Sequence, residues 1–246
     1  MNRHGSARIA AIIERIDEAP PRTVARTAGI LYLLDIVTSL LGDSLTGRTH
    51  VVPGDTAATA ASIIAQEPLL RLGVAANLFA TACYVAVTVL LYVLFKVVNR
   101  SLARLVMFAS LTALAIWTSG SLSQFAATLA VRRLDVSGPR VDQQAFGLLE
   151  WSARASNIGL VVFGAYCLLL GYLICKSTFL PGVLGVLMML GGLGLLTYLS
   201  PALASDLYPY NAAPALIAET SLTLWLLAIG VNVQQWERRA SATRPT

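Results

Sequence analysis

Charge is what this chain has least of. Only 13% of its 246 residues are Asp, Glu, Lys or Arg, about half the usual share in soluble domains. Histidine is limited to His4 and His50, and the three cysteines, Cys83, Cys167 and Cys175, contain no CxxC pair. No metal set follows from such spacing, and the cysteines read as small apolar packing groups. There is no HExxH and no Ser/Lys or Ser/His arrangement on facing segments. The run Gly191-Gly192-Leu193-Gly194 lies inside an apolar segment instead of following a strand. Metalloprotease, serine-hydrolase and dinucleotide-loop readings are thereby set aside, and no catalytic residue, metal or cofactor is expected. The net charge is +5, but the cations punctuate apolar runs and do not gather on a polar domain, so nucleic acid is not an expected partner.

What the chain does have is apolar length. Its residues are 56% hydrophobic. No charged side chain occurs between Arg154 and Lys176, or between Lys176 and Asp206. At ~1.5 Å per residue, each stretch is long enough to cross the ~30 Å hydrocarbon core of a bilayer. The link Lys176-Ser177-Thr178-Phe179-Leu180-Pro181 carries one cation and makes the pair a transmembrane hairpin. Further crossings are expected at Thr27 to Gly42, Leu72 to Phe95, Leu105 to Val131 and Pro214 to Gln235. From Asp142 a helical pattern runs toward the fourth crossing and sets Glu150 and Arg154 one turn apart, as an exposed pair.

The expected fold is all-α: a polytopic membrane protein of six transmembrane helices. An external helix, N-capped by Asp55 and running to Gln66, is expected between crossings one and two. Residues 1–23 are expected to form a cytoplasmic tail in which Ile9, Ile12, Ile13 and Ile16 recur at helical spacing at the membrane surface, without the apolar core of a signal peptide. The membrane domain is expected over 24–236, followed by a C-terminal tail over 237–246 whose last residues, from Ala240, are disordered. Lys and Arg are roughly twice as numerous in the segments that share a side with the N-terminus, which puts both termini in the cytoplasm.

Polar residues inside the crossings collect unevenly. Counted by helical rise, Asn77, Ser119, Ser121, Ser123, Gln124, Asn157 and Glu219 fall in the outer half of the bilayer, and Asp35 falls near its midplane. A carboxylate at that depth costs at least ~2.5 kcal/mol on insertion scales, so Asp35 must turn inward or be protonated and hydrogen-bonded. Asp35, Asn77, Gln124, Arg154 and Glu219 are therefore candidate ligand-binding residues around an outward-opening pocket, with Arg154 as counter-charge. The alternative is that these groups only bond one another between helices, with Ser119 and Ser123 as a small-residue pair for close packing.

Several runs carry a resemblance. They are Thr27-Ala28-Gly29-Ile30-Leu31-Tyr32, Val51-Val52-Pro53-Gly54-Asp55-Thr56-Ala57-Ala58-Thr59-Ala60 and Lys96-Val97-Val98-Asn99-Arg100-Ser101-Leu102. Tyr166-Cys167-Leu168-Leu169-Leu170-Gly171-Tyr172-Leu173-Ile174, Phe179-Leu180-Pro181-Gly182-Val183-Leu184-Gly185 and Ala218-Glu219-Thr220-Ser221-Leu222-Thr223-Leu224-Trp225-Leu226 complete it. The chain resembles a bacterial membrane family known as domain of unknown function 4386. The resemblance implies a multi-span protein of the bacterial inner membrane, matches Glu219 to the family's acidic residue in the last crossing, and carries over no catalytic residue. Membrane lipid is the expected surrounding partner. The expected function is binding or movement of a small solute, lipid headgroup or proton; the alternative is a non-catalytic membrane assembly or stress-related subunit.

Overall fold

A computed structural model describes residues 19–46, 65–133 and 139–242. Among these residues the chain is helical throughout, without strand. Helix α1 runs Pro21–Thr46, α2 Glu67–Phe95, α3 Arg100–Arg133 and α4 Pro139–Lys176. Helix α5 follows at Gly182–Leu196 and tightens into a 3-10 turn, Thr197–Leu199; a short α6 (Pro201–Leu207), α7 (Ala213–Ala228) and α8 (Val233–Ala242) complete the chain. The expected external helix before Gln66 and the surface helix around Ile9 to Ile16 lie outside the described residues.

Helix boundaries follow local chemistry. Pro21 and Pro68 occupy first-turn positions, where a missing N–H costs nothing. Pro181, in an extended conformation, is the N-cap of α5. Ser200 caps α6 by accepting the Leu203 N–H. α1 is longer than expected at both ends and takes in Asp43, which the sequence placed in the following loop. α4 runs unbroken from the polar connection into the apolar stretch, as its pattern anticipated. At ~1.5 Å per residue, α3 and α4 each exceed 50 Å and must project well past one face of a bilayer.

Five helices are long and apolar enough to cross a membrane: α1, α2, most of α3, α4 from Phe146, and α5 with its 3-10 turn. The expected sixth, Pro214 to Gln235, is not one straight helix. α7 ends at Ala228, Gly230 adopts φ +76°, and α8 turns away by 97°. The physical reason lies in the sequence beyond the break: the left-handed Gly230 ends α7, and the run with Gln234, Gln235, Glu237, Arg238 and Arg239 is polar enough to lie in water instead of extending the apolar crossing. α8 also stays helical to Ala242, past the point where a disordered tail was expected.

Neighbouring long helices follow the order α1, α2, α3, α4, α5, α7, and α7 packs back on α1, closing a ring. At one end of the ring lie Lys96, Arg100, Lys176 and α8, here called the basic end. A continuous core fills the interior, with Tyr32, Phe95, Tyr166, Leu170, Met188, Leu222 and Leu226 fully buried. A small satellite core of Leu70, Ala127 and Leu149 joins α2 to α3 and α4 near the opposite end.

Two devices hold the helices at close range. Thr88 on α2 and Ser110 on α3 share a buried 2.7 Å hydrogen bond. Along the α4–α5 seam, Gly171 faces Gly185 and Gly164 faces Gly192, so a β-carbon on Gly171 would sit 2.6 Å from the Gly185 carbonyl. The part-buried Ser119 and Ser123, expected as a small-residue pair for close packing, donate their hydroxyls to their own helix, to Ile116 O and Ser119 O. It is Gly120 that faces Ser152 and Ala155 across the α3–α4 contact.

Gly171→Ala should force the α4–α5 backbones apart and lower stability by about 1–3 kcal/mol. Gly147→Ala, on the same helix with nothing within 4 Å, should be neutral or slightly stabilising. Unfolding in detergent measures both, and equal losses would remove the seam as the cause.

Candidate functional site

At mid-depth the ring encloses a chain of hydroxyls ending on a carboxylate. Tyr32 on α1 donates to Glu219 Oε1 on α7 at 2.9 Å. The Tyr32 hydroxyl also meets the Tyr84 hydroxyl of α2 at 3.1 Å. Tyr84 in turn donates to the Tyr166 hydroxyl of α4 at 3.2 Å. Counted along their helices from the basic end, the four residues stand about 13–17 Å deep, so they share one level near the middle of a ~30 Å core.

Aromatic packing sets the hydroxyls. The Tyr32 and Tyr84 rings are edge-on, with centroids 5.1 Å apart, and Phe163 packs against Tyr84, Tyr166 and Trp117 at 5.7, 5.0 and 5.1 Å. Edge-to-face rings stabilise one another beyond the area they bury. The three phenols are thus held by their neighbours' rings as well as by their own hydrogen bonds. Trp117 itself lies over Gly159 and donates from Nε1 to the Ser156 carbonyl.

Asp35 stands one turn beyond Tyr32 on α1, within electrostatic range of Glu219. No hydrogen bond to its side chain, and no Lys, Arg or His paired with either acid, occurs among the described residues. Thr223, one turn from Glu219 on the same face of α7, buries a hydroxyl that has no partner among the described residues. The free cysteines Cys83 and Cys167 lie in the chain next to Tyr84 and Tyr166, and both are buried. No metal-binding group of His, Cys, Asp and Glu occurs among the described residues.

Of the five residues proposed from sequence, the fold brings together two, Asp35 and Glu219. Asn77 donates to Asp43 at 3.1 Å and packs over Gly42, about two turns further toward the end opposite the basic one. Gln124 is part-buried near that same end of α3. Arg154 is exposed and pairs with Glu150 at 2.7 Å, the simple surface pair that their spacing implied, so its guanidinium is not beside the acids.

The tyrosines are what the sequence reasoning missed. Membrane tyrosines ordinarily sit at the interfaces, whereas Tyr32, Tyr84 and Tyr166 each fall near the middle of a separate apolar stretch. That displacement from the belt was the available signal. One small cavity, about 10 Å³, lies next to the chain, lined by Thr88, Leu91, Tyr92, Phe95, Ala103, Val106, Met107, Tyr166, Leu170 and Leu173. It has room for about one water.

Apolar helices of crossing length around a buried acid–tyrosine chain define a multi-pass helical membrane protein. Within that class, the chain belongs to the family described as domain of unknown function (DUF4386), whose model matches residues 27–230. No curated protein and no solved structure matches it.

Tyr32→Phe should remove two hydrogen bonds from this centre and lower stability by about 1 kcal/mol. Chemical unfolding in micelles reads the loss, and a variant as stable as the parent would show that the chain contributes nothing to folding.

Proposed function

We propose that the bundle takes up a proton on the Asp35–Glu219 pair at its centre. Of the solute, headgroup and proton considered from sequence, the proton fits best. The observation that carries this reading is two carboxyl groups near mid-depth without a basic partner among the described residues. Ionised together in an apolar bundle, such a pair repels and loses hydration, so a proton is the ligand that relieves both costs. The neighbouring cavity, sized for about one water, supports a proton over a metabolite. Asn77 and Gln124 would then line the approach from the opposite end, and Arg154 would act only at its mouth.

The same reading places the chain in a bacterial inner membrane with six crossings, α7 being the last, and both termini in the cytoplasm. The gathering of Lys96, Arg100, Lys176, Arg238 and Arg239 at one end of the ring supports that orientation. A second reading, a non-catalytic assembly subunit, is favoured by the tyrosine chain itself, which also ties four helices together. Asp35 separates the two readings, because it makes no hydrogen bond to another helix among the described residues and so is poor packing glue.

Dicyclohexylcarbodiimide, an apolar reagent that modifies protonated carboxyls, tests proton uptake directly. Mass spectrometry should find Asp35 or Glu219 modified, with labelling that declines as pH rises and the acids ionise. Asp35→Asn should fold with little change in stability. Absence of labelling at both acids in folded protein, or an Asp35→Asn variant that fails to accumulate, would support the assembly reading instead.

A further inference from the structure

We infer that the three tyrosine hydroxyls are a proton relay, carrying the proton of Glu219 across the bundle to the small cavity beside Tyr166. The inference rests on the reading that Glu219 takes up a proton, and it adds the route by which that proton leaves.

The argument is a count of hydrogens. Each phenol carries one proton. Tyr84 donates to Tyr166 and Tyr32 donates to Glu219. With both protons so committed, the 3.1 Å contact between the Tyr32 and Tyr84 oxygens has no proton to hold it. Two arrangements satisfy all three contacts with every donor pointing the same way along the chain. In one, a protonated Glu219 donates to Tyr32, Tyr32 to Tyr84, and Tyr84 to Tyr166, which leaves the Tyr166 proton outside the chain. In the other, Glu219 is ionised and every bond is reversed, so that Tyr166 donates inward to Tyr84.

These arrangements differ by one proton, and the step between them balances. The Glu219 O–H bond breaks as an O–H bond forms on Tyr32. Tyr32 gives its own proton to Tyr84, Tyr84 gives its own to Tyr166, and Tyr166 releases the proton that lay outside the chain. Glu219 ends as a carboxylate and the three phenols end neutral. Rotation of each hydroxyl about its C–O bond, with a new proton on Glu219, restores the first state. Asp35, one turn from Tyr32 and nearer the end opposite the basic one, stands where that replacement would arrive.

The cavity gives the released proton somewhere to go. Tyr166 and Thr88 line it at the level of the chain, and Phe95, Ala103 and Leu173 line it toward the basic end. All three oxygen–oxygen separations, 2.9, 3.1 and 3.2 Å, lie within or close to hydrogen-bond range. Titratable groups facing Glu219 are Tyr32 and Asp35 from α1, Tyr84 from α2, and Tyr166 and Cys167 from α4. α5, which also packs on α7, carries no titratable residue.

The test uses the full chain in liposomes with trapped pyranine, under a potassium diffusion potential set by valinomycin. Tyr84→Phe keeps the ring and deletes the one hydroxyl that joins Tyr32 to Tyr166. Proton entry should fall at least tenfold in Tyr84→Phe and in Tyr166→Phe, while carbodiimide labelling of the acids persists. Tyr172→Phe, whose exposed ring lies beside Lys176, should conduct as the parent does. Should either buried variant fail to fold, the other carries the test. Undiminished flux in a folded Tyr84→Phe or Tyr166→Phe overturns the relay and leaves proton uptake standing. Labelling without proton entry in the parent chain also overturns it. Loss of labelling in the parent overturns the underlying reading as well.

Discussion

A polar group inside lipid must find its partners within the protein, and the rest of this structure is arranged around that requirement at Glu219. An ionisable side chain near the bilayer centre is costly wherever it faces hydrocarbon. Here four helices converge on one: α7 supplies the acid, α1 the hydroxyl that donates to it, and α2 and α4 the hydroxyls that follow. The ring closes because α7 packs on α1, and that contact is the one through which Glu219 reaches Tyr32. Gly29 lies at the α1–α7 contact, where a β-carbon would meet the backbone of Leu226 and Leu227. Close approach between these helices and the hydrogen bond across them therefore depend on each other.

The same logic explains why apolar contact alone does not account for the bundle. In lipid, helices gain nothing from leaving water, and association rests on tight packing and a few hydrogen bonds. The α4–α5 seam is built from paired glycines spaced seven residues apart on both helices, Gly164 and Gly171 against Gly192 and Gly185. The α2–α3 contact has Thr88 and Ser110 instead. Small residues sit where the α4 and α5 backbones meet, and a buried hydroxyl pair joins α2 to α3. These contacts thus have different means of closing, and the tyrosine chain spans the interior, linking α1, α2, α4 and α7.

How far the sequence could be read follows from which signals are local. The hairpin at Lys176 to Pro181, the long unbroken α4 and the exposed Glu150–Arg154 pair depended on charge spacing and helical rise, and they appear as expected. The last helix was misread because hydropathy from Pro214 to Gln235 falls off gradually, while the event that ends it is a single backbone conformation at Gly230. Site residues were partly legible for the same reason. Asp35 and Glu219 stood out as charges in apolar runs. Depth alone, however, grouped Asn77, Gln124 and Arg154 with them, though the first bonds Asp43 and the last bonds Glu150. Depth is one coordinate; which face of a helix a residue occupies, and which helix lies opposite, are tertiary facts. The tyrosines required both.

The basic end shows how a departure from a straight sixth helix serves the bundle. A helix leaves its last four carbonyls without partners, and burying them unpaired is costly. By turning through 97° at Gly230, α8 brings Trp236 Nε1 to 3.0 Å from the Leu94 carbonyl in the last turn of α2. It also brings Arg239 to 3.0 Å from the Lys176 carbonyl at the end of α4, where a cation complements the negative end of the helix dipole. The Asn232 N–H donates to Phe179 O, and the Phe179 ring lies 5.6 Å from that of Phe95, which lines the small cavity. α8 therefore holds the ends of α2 and α4 and backs the floor of the cavity in a single placement. A straight continuation of α7 would have carried Trp236 and Arg239 away from the basic end and left those carbonyls without these donors, so the bend serves the same rule that places the tyrosines against Glu219.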